Sequence, residues 1–166
     1  TLELSESFCR GFKDAGIVPV PKHFPGHGRS KFDTHKKISI IDEDLNELLK
    51  TDLIPFNIIK KQSMVMLAHI IYPKIDKVVA TYSKKITQEI IRNKFDFRGL
   101  ILSDDISMKA LQGSFQEKIE NIYSGGCDVV LYCSGKINEM RKIYPLSKKI
   151  KKKFYEFFVN DINKYK

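Results

Sequence analysis

The sequence predicts an α/β fold in which four parallel strands alternate with helices. Three observations predict it. Helix-like and strand-like stretches alternate along the chain. The strand-like stretches are apolar throughout, as in parallel sheets covered by helices on their faces. Each of them also ends on polar residues: Lys22-His23, His69, Asp104-Asp105 and Cys133-Ser134. Parallel strands present their C-terminal ends on one rim, so these groups are expected to converge there.

The elements follow in order. Leu4 to Ala15 reads as a helix, with Phe8 and Phe12 four apart on one face and Gly16 as its stop. Ile17 to His23 reads as the first strand. Asp42 to Lys61 reads as helical, with acids in its first turn and Pro55 as an interruption. Met64 to His69 is a buried strand that ends on a histidine. Ser83 is a candidate cap for a helix reaching about Asn93. Gly99 to Ser103 is the third strand, followed directly by Asp104-Asp105. Gln116 to Ser124 is a helix, Asp128 to Tyr132 the fourth strand, and the remainder is helical.

Composition narrows the class. At 166 residues, 42% hydrophobic and 30% charged, the chain is long enough for one sizeable core and reads as soluble and globular. No run approaches the roughly 18 apolar residues of a membrane span. The first twenty residues lack a basic start followed by an apolar core, so no signal peptide and a cytoplasmic location are expected. The chain opens on Thr1, which is consistent with a start partway through a longer protein. The three cysteines, Cys9, Cys127 and Cys133, have no metal spacing and read as free thiols. Of the net charge of +9, the segment Lys136 to Lys166 carries +7. There lysines mix with Phe154, Tyr155, Phe157 and Phe158. Such a tail suits an anionic surface, but equally a terminal helix whose aromatic face packs on the sheet while its lysines stay solvated. The second reading is preferred, so no nucleic-acid and no membrane partner is expected.

Chemistry concentrates in Lys22-His23-Phe24-Pro25-Gly26-His27-Gly28 and the following Asp33-Thr34-His35, which hold three of the chain's four histidines. Imidazole exchanges protons near neutral pH and is the default acid/base candidate. Asp33, two residues from His35, is placed to orient that ring and stabilise its protonated form. A solvated loop with incidental polar residues is the plain alternative. Asp104-Asp105, directly after an apolar strand, is a stronger signal. A carboxylate there suits a nucleophile or a metal ligand, while an N-cap uses the same residue type. The doublet allows both, one Asp facing the rim and the other capping the turn. His23, His27 and His35 match no zinc spacing, so neither metal nor cofactor is expected. The glycines of this loop are not a phosphate loop, because no Gly-Lys-Ser/Thr follows. His69 alone reads more readily as a buried, hydrogen-bonded histidine.

Taken together, Lys22 to Gly28, Asp33-Thr34-His35, Met66-Leu67-Ala68-His69-Ile70-Ile71-Tyr72-Pro73 and Ser103-Asp104-Asp105-Ile106-Ser107-Met108 resemble the family 3 glycoside hydrolases, and among them the bacterial β-N-acetylglucosaminidases of peptidoglycan recycling. The resemblance runs from about Phe8 to Ser134. It implies a TIM barrel and a retaining double displacement on a GlcNAc-containing muropeptide or oligosaccharide. It implies Asp104 as the nucleophile, His35 as an unusual acid/base and Asp33 as its partner. Lys22 and His23 match residues that hold the sugar hydroxyls, and His69 is grouped with them as a substrate-binding candidate. Thr34 stands where the family usually has Ser.

A complete barrel needs eight strands and about 250 residues. The four strands here imply about the second half of the barrel, in residues 1–145, followed by a lysine-rich terminal helix, 146–166. The first half then lies outside this sequence, and a half-barrel exposes two strand edges. Pairing with the missing half, or self-association, is the expected consequence. The other reading is an inactive remnant or a split-gene subunit.

Overall fold

Pro19 and Pro21 decide how the first predicted strand is built. The computed structural model describes residues 2–32 and 37–165. In it, residues 17–22 form no regular strand and His23 sits in a bend. Proline has no N–H to give a ladder, so pairing starts only where the prolines end. Met66 donates its N–H to the Pro21 carbonyl (3.1 Å), Phe24 donates to Met66 (2.8 Å), and Ala68 donates back to Phe24 (2.9 Å). Phe24 and Leu67 thereby form a parallel bridge. The expectation of four strands is corrected to three regular strands flanked by this prolyl edge.

Those three are β2 (Met64–Met66), β5 (Leu100–Asp105) and β6 (Val129–Leu131), parallel and in the order β2-β5-β6. Their register pairs Val65 with Ile101 and Leu102 with Val129. A second, smaller sheet was not predicted. It consists of β1 (Ser39–Ile40), β3 (Ile70–Tyr72) and β4 (Asp76–Val79), with β3 at its centre, parallel to β1 and antiparallel to β4. Apolar residues flank His69 on both sides, from Met64 to Tyr72. The strand is broken at Ala68 and His69, and the chain passes there from one sheet into the other.

The helices largely match the expectations. α1 (Leu2–Asp14) precedes the prolyl edge. The predicted Asp42 to Lys61 helix is two pieces. α2 (Leu45–Lys50) is capped by Asp44, which accepts from the Glu47 N–H (2.9 Å), and a 3₁₀ helix runs Ile54–Lys61. The break falls before Pro55, which occupies the first turn of the second piece, where its missing N–H costs nothing. The next helix, Lys85–Lys94, is wound as a π-helix, and Ser83 caps it by accepting from the Ile86 N–H (3.1 Å). α3 (Phe115–Ser124) opens on a reciprocal capping box between Ser114 and Glu117. α4 (Ile137–Ile143) and α5 (Lys152–Ile162) complete the chain.

Packing locks the two ends of the sheet differently. At its N-terminal end, Arg92 donates to the carbonyls of Phe97 (3.0 Å) and Gly99 (2.7 Å) and pairs with Asp128 (2.5 Å). The Phe154 ring of α5 stacks on that guanidinium at 3.7 Å, and Asp161 accepts from the Ser63 hydroxyl (2.8 Å). Near the other end, Phe24 is fully buried and meets Phe56 and Phe95 edge-on, with ring centres at 5.1 and 5.5 Å. Edge-to-face geometry adds to the area that such a ring buries. A Phe24→Ala substitution is expected to lower the unfolding free energy by about 3–5 kcal/mol, read as a lower urea midpoint at unchanged slope.

Candidate active site

The site is built around one extra residue. Between Leu102 and Asp105 the β5 strand advances three positions while β6 advances two, from Val129 to Leu131. Such a bulge bends its strand and re-aims the side chains it carries. Its backbone cost is met locally: the Leu131 N–H turns to the Ser103 hydroxyl (3.0 Å), and Ile106 donates to the Leu131 carbonyl (3.0 Å).

The two neighbouring carboxylates take different work. Asp105 accepts from the N–H groups of Ser107 (3.0 Å) and Cys133 (3.1 Å) and from the Ser107 hydroxyl, so it caps the turn and ties β5 to the end of β6. Burial pushes its carboxyl up. The hydrogen bonds from Ser107 and Cys133, with His69 nearby, outweigh that and hold it below the ordinary value. Asp104 keeps one oxygen on the Asp105 N–H (2.8 Å) and turns the other toward His23 Nε2, 3.5 Å away. That oxygen is partly shielded from water and stands at the C-terminal rim, the arrangement a nucleophilic carboxylate needs.

His23 reaches this position from the loop after the prolyl edge, in which the peptide bonds Lys22–His23 and Phe24–Pro25 are cis. Its ring lies 5.5 Å from that of His27. Gly26 carries a φ of +137°, and a Cβ there would stand 2.9 Å from Cβ of Asp52, so only glycine fits. The buried Tyr72 hydroxyl donates to the Gly26 carbonyl. Arg29 binds the loop to α2 and the residues on either side of it, through Asp52 (2.7 Å), Glu43 (3.3 Å), Glu47 (3.5 Å) and Thr51 (3.0 Å). Lys22 is exposed, and its charge opposes the upward push that partial burial and the two aspartates exert on the Cys133 thiol.

Asp33 and His35 lie outside the described residues. The described residues on either side are tied to one another. The Ser30 and Ser39 hydroxyls are 2.9 Å apart, and the Lys37 ammonium sits 3.4 Å over the Phe32 ring. His69 is buried behind the strand end, with Nδ1 2.7 Å from the Thr81 hydroxyl and Nε2 3.1 Å from the Asp105 carbonyl. Both ring nitrogens are thus engaged by protein groups.

Sequence reasoning missed Ser103, Ser107, Thr81, Tyr72 and Arg29. Ser107 and Tyr72 stood inside quoted motifs. The roles of Thr81 and Arg29 follow only from the fold. Among the described residues no cluster of metal-ligating side chains occurs, and no helix is long and apolar enough to cross a membrane.

The sequence matches the glycosyl hydrolase family 3 N terminal domain over residues 1–156. The chain belongs to glycosyl hydrolase family 3. Its family 3 relatives include a beta-hexosaminidase of Nitrosomonas eutropha, 41% identical over 136 residues, which is 80% of this chain and 39% of that relative. A beta-hexosaminidase of Pseudomonas aeruginosa is 39% identical over 134 residues, 79% of this chain and 40% of that protein. The chain therefore spans about two-fifths of the curated relatives it matches. Among solved structures, CbsA from Thermotoga neapolitana superposes with a TM-score of 0.80 at 30% identity, over 97% of this chain and 39% of that one. NagZ from Neisseria gonorrhoeae, solved with N-trifluoroacetyl-D-glucosamine, gives 0.82 at 28% identity, over 95% and 45%.

The depressed Asp105 carboxyl makes a pH prediction. A group whose folded pKa lies below its unfolded value adds stability that is present above the unfolded value and lost as pH falls through the folded one. Unfolding free energy measured between about pH 5 and about pH 2 is expected to fall less steeply in Asp105→Asn than in the parent chain.

Proposed function

We propose that this chain is the nucleophile-bearing portion of a retaining β-N-acetylglucosaminidase that removes terminal β-linked N-acetylglucosamine from peptidoglycan-derived muropeptides. The observation that carries the reading is the bulged strand end. It holds one Asp104 oxygen on a backbone N–H and aims the other past His23 at the rim, in a chain 41% identical to a beta-hexosaminidase. The complex of NagZ with N-trifluoroacetyl-D-glucosamine supports the substrate class.

A retaining glycosidase needs a nucleophile and a proton donor on either side of the bond. In this reading the Asp104 carboxylate attacks the anomeric carbon and a glycosyl ester forms. The protonated His35 ring gives its proton to the departing glycosidic oxygen. Neutral His35 then takes a proton from water, which attacks the ester and frees Asp104. Asp33 orients the His35 ring and stabilises its charged form. His23 and Lys22 donate to sugar hydroxyls. Asp105 is excluded as the second carboxylate of the reaction, because its oxygens are already committed to Ser107 and Cys133.

A second reading, that this chain is one subunit or half of such an enzyme, is favoured by its two open edges. Beside the prolyl edge, Leu4, Phe8 and Ile17 are exposed, and Phe8, Val18, Val20 and Phe56 line an apolar groove of about 620 Å³. Beside β6, Ile137, Met140 and Tyr144 of α4 and the residue after it are exposed, along a groove of about 590 Å³. Apolar surface of this kind at both ends of a sheet is what a barrel closed by further strands would cover.

The test is release of chromophore from an aryl β-N-acetylglucosaminide. The chain is assayed alone and with the N-terminal portion of the Nitrosomonas relative added. Activity in either arm is expected to drop by more than about a thousandfold in Asp104→Asn. Activity only with the added portion favours the subunit reading. Asp104→Asn at the parental rate, or no activity in both arms, overturns the proposal.

A further inference from the structure

His69 is 1% exposed, yet it touches the backbone of the strand end that carries Asp104. A carbonyl oxygen only accepts, so the 3.1 Å contact between Nε2 and the Asp105 carbonyl requires the hydrogen to sit on Nε2. The other nitrogen lies 2.7 Å from the Thr81 hydroxyl, which also lies 2.9 Å from the Ala68 carbonyl. Thr81 has one hydrogen to place between them. With a neutral ring, that hydrogen turns to Nδ1. With a charged ring, Nδ1–H donates to Thr81 and the hydroxyl turns to Ala68. Burial favours the neutral ring. The Asp104 charge, the hydrogen bond to the Asp105 carbonyl and the Asp105 charge oppose it, Lys118 sides with burial, and the balance is a lowered pKa.

What the ring holds matters more than its charge. Asp105 is fixed at its carbonyl by His69 and at its carboxylate by Ser107 and Cys133. Its N–H, in turn, holds Asp104 Oδ1. We propose that His69 is a positioning residue: as the Nε2–H tautomer that the Asp105 carbonyl requires, with Thr81 holding its other nitrogen, it clamps that carbonyl at the bulge and so sets the direction of the Asp104 carboxylate. This role rests on the proposed function, and it replaces a direct contact between His69 and the sugar. It resembles the way outer groups orient the ligands of a metal.

The test has two arms, so that this proposal and the proposed function fail separately. The first needs no turnover. Long-range ¹H–¹⁵N spectra of the labelled chain at pH 7 are expected to show His69 as the Nε2–H tautomer, and Thr81→Val is expected to keep it, since the Asp105 carbonyl remains its acceptor. Hydrogen exchange at the Asp105 amide is expected to accelerate about tenfold or more in His69→Leu. His69→Gln, whose amide nitrogen stands where Nε2 stood, is expected to keep the parental exchange rate.

The second arm is kinetic. In whichever assay is active, His69→Leu is expected to lower kcat about 10- to 100-fold, with KM changed less than about threefold, and His69→Gln to recover most of kcat. The Nδ1–H tautomer, or Asp105 exchange that is indifferent to His69, overturns the proposal. So does a loss confined to KM, which is the mark of a substrate contact. Inactivity in both assays removes the proposed function and leaves the spectra and the exchange rates to decide the role of His69.

Discussion

One additional residue in β5 sets the geometry on which the rest of the rim depends. Without it, residues 104 and 105 would continue the alternation of a parallel strand, one side chain to each face. With it, both adjacent carboxylates serve the C-terminal end. The bulge persists because each backbone group it displaces finds a partner: Ser103 takes the Leu131 N–H, and Ile106 takes the Leu131 carbonyl. An unpaired buried N–H there would cost about as much as a lost hydrogen bond, and the strand would straighten to avoid it.

The two aspartates then show how environment separates identical side chains. Asp105 is saturated by donors and held in its ionised form, which makes it a structural tie between β5 and β6. Asp104 retains an oxygen that faces His23 across 3.5 Å. The distinction is made by neighbours and not by residue type, since Ser107 and the Cys133 amide can reach only the second of the pair. His69, approaching from behind, finds only the carbonyl of that same residue.

The opposite end of the sheet is rigid for another reason. There the strands begin, and a buried Arg92–Asp128 pair with two further carbonyl contacts joins them, under the stacked ring of Phe154. Such a pair gains when further donors are also satisfied, and the carbonyls of Phe97 and Gly99 take both hydrogens of Arg92 Nη1. The lysine-rich C-terminal helix is held here by two residues of its inner face, Phe154 and Asp161, while the side chains of Lys152 and Lys164 stay largely in solvent. The chain thus anchors its strand starts firmly and leaves its strand ends to side-chain chemistry.

The sequence by itself determined the α/β class, most helices, the apolar strands β2, β5 and β6, and the grouping of Lys22, His23, His69 and the Asp104-Asp105 pair at strand ends. These are local properties: apolar runs, caps such as Ser83, and polar residues at fixed places after a strand. The residue types allowed one aspartate to cap while the other faced the rim, and only the family resemblance implied Asp104 for the rim. The donors that commit Asp105 to the cap come from the turn and from the residues after β6, which no local pattern shows. Tertiary structure decided that Ile17 to His23 pairs only from Pro21 onward, since the loss of two N–H groups matters only once a partner strand is alongside. It placed Met64 to Met66 and Ile70 to Tyr72 in two different sheets, which the apolar residues on either side of His69 do not distinguish. It engaged both ring nitrogens of His69 by supplying Thr81 and the Asp105 carbonyl, 12 and 36 residues distant in the chain. A hydrogen bond between residues far apart in sequence leaves no periodic trace in either segment, and only the folded chain reveals it.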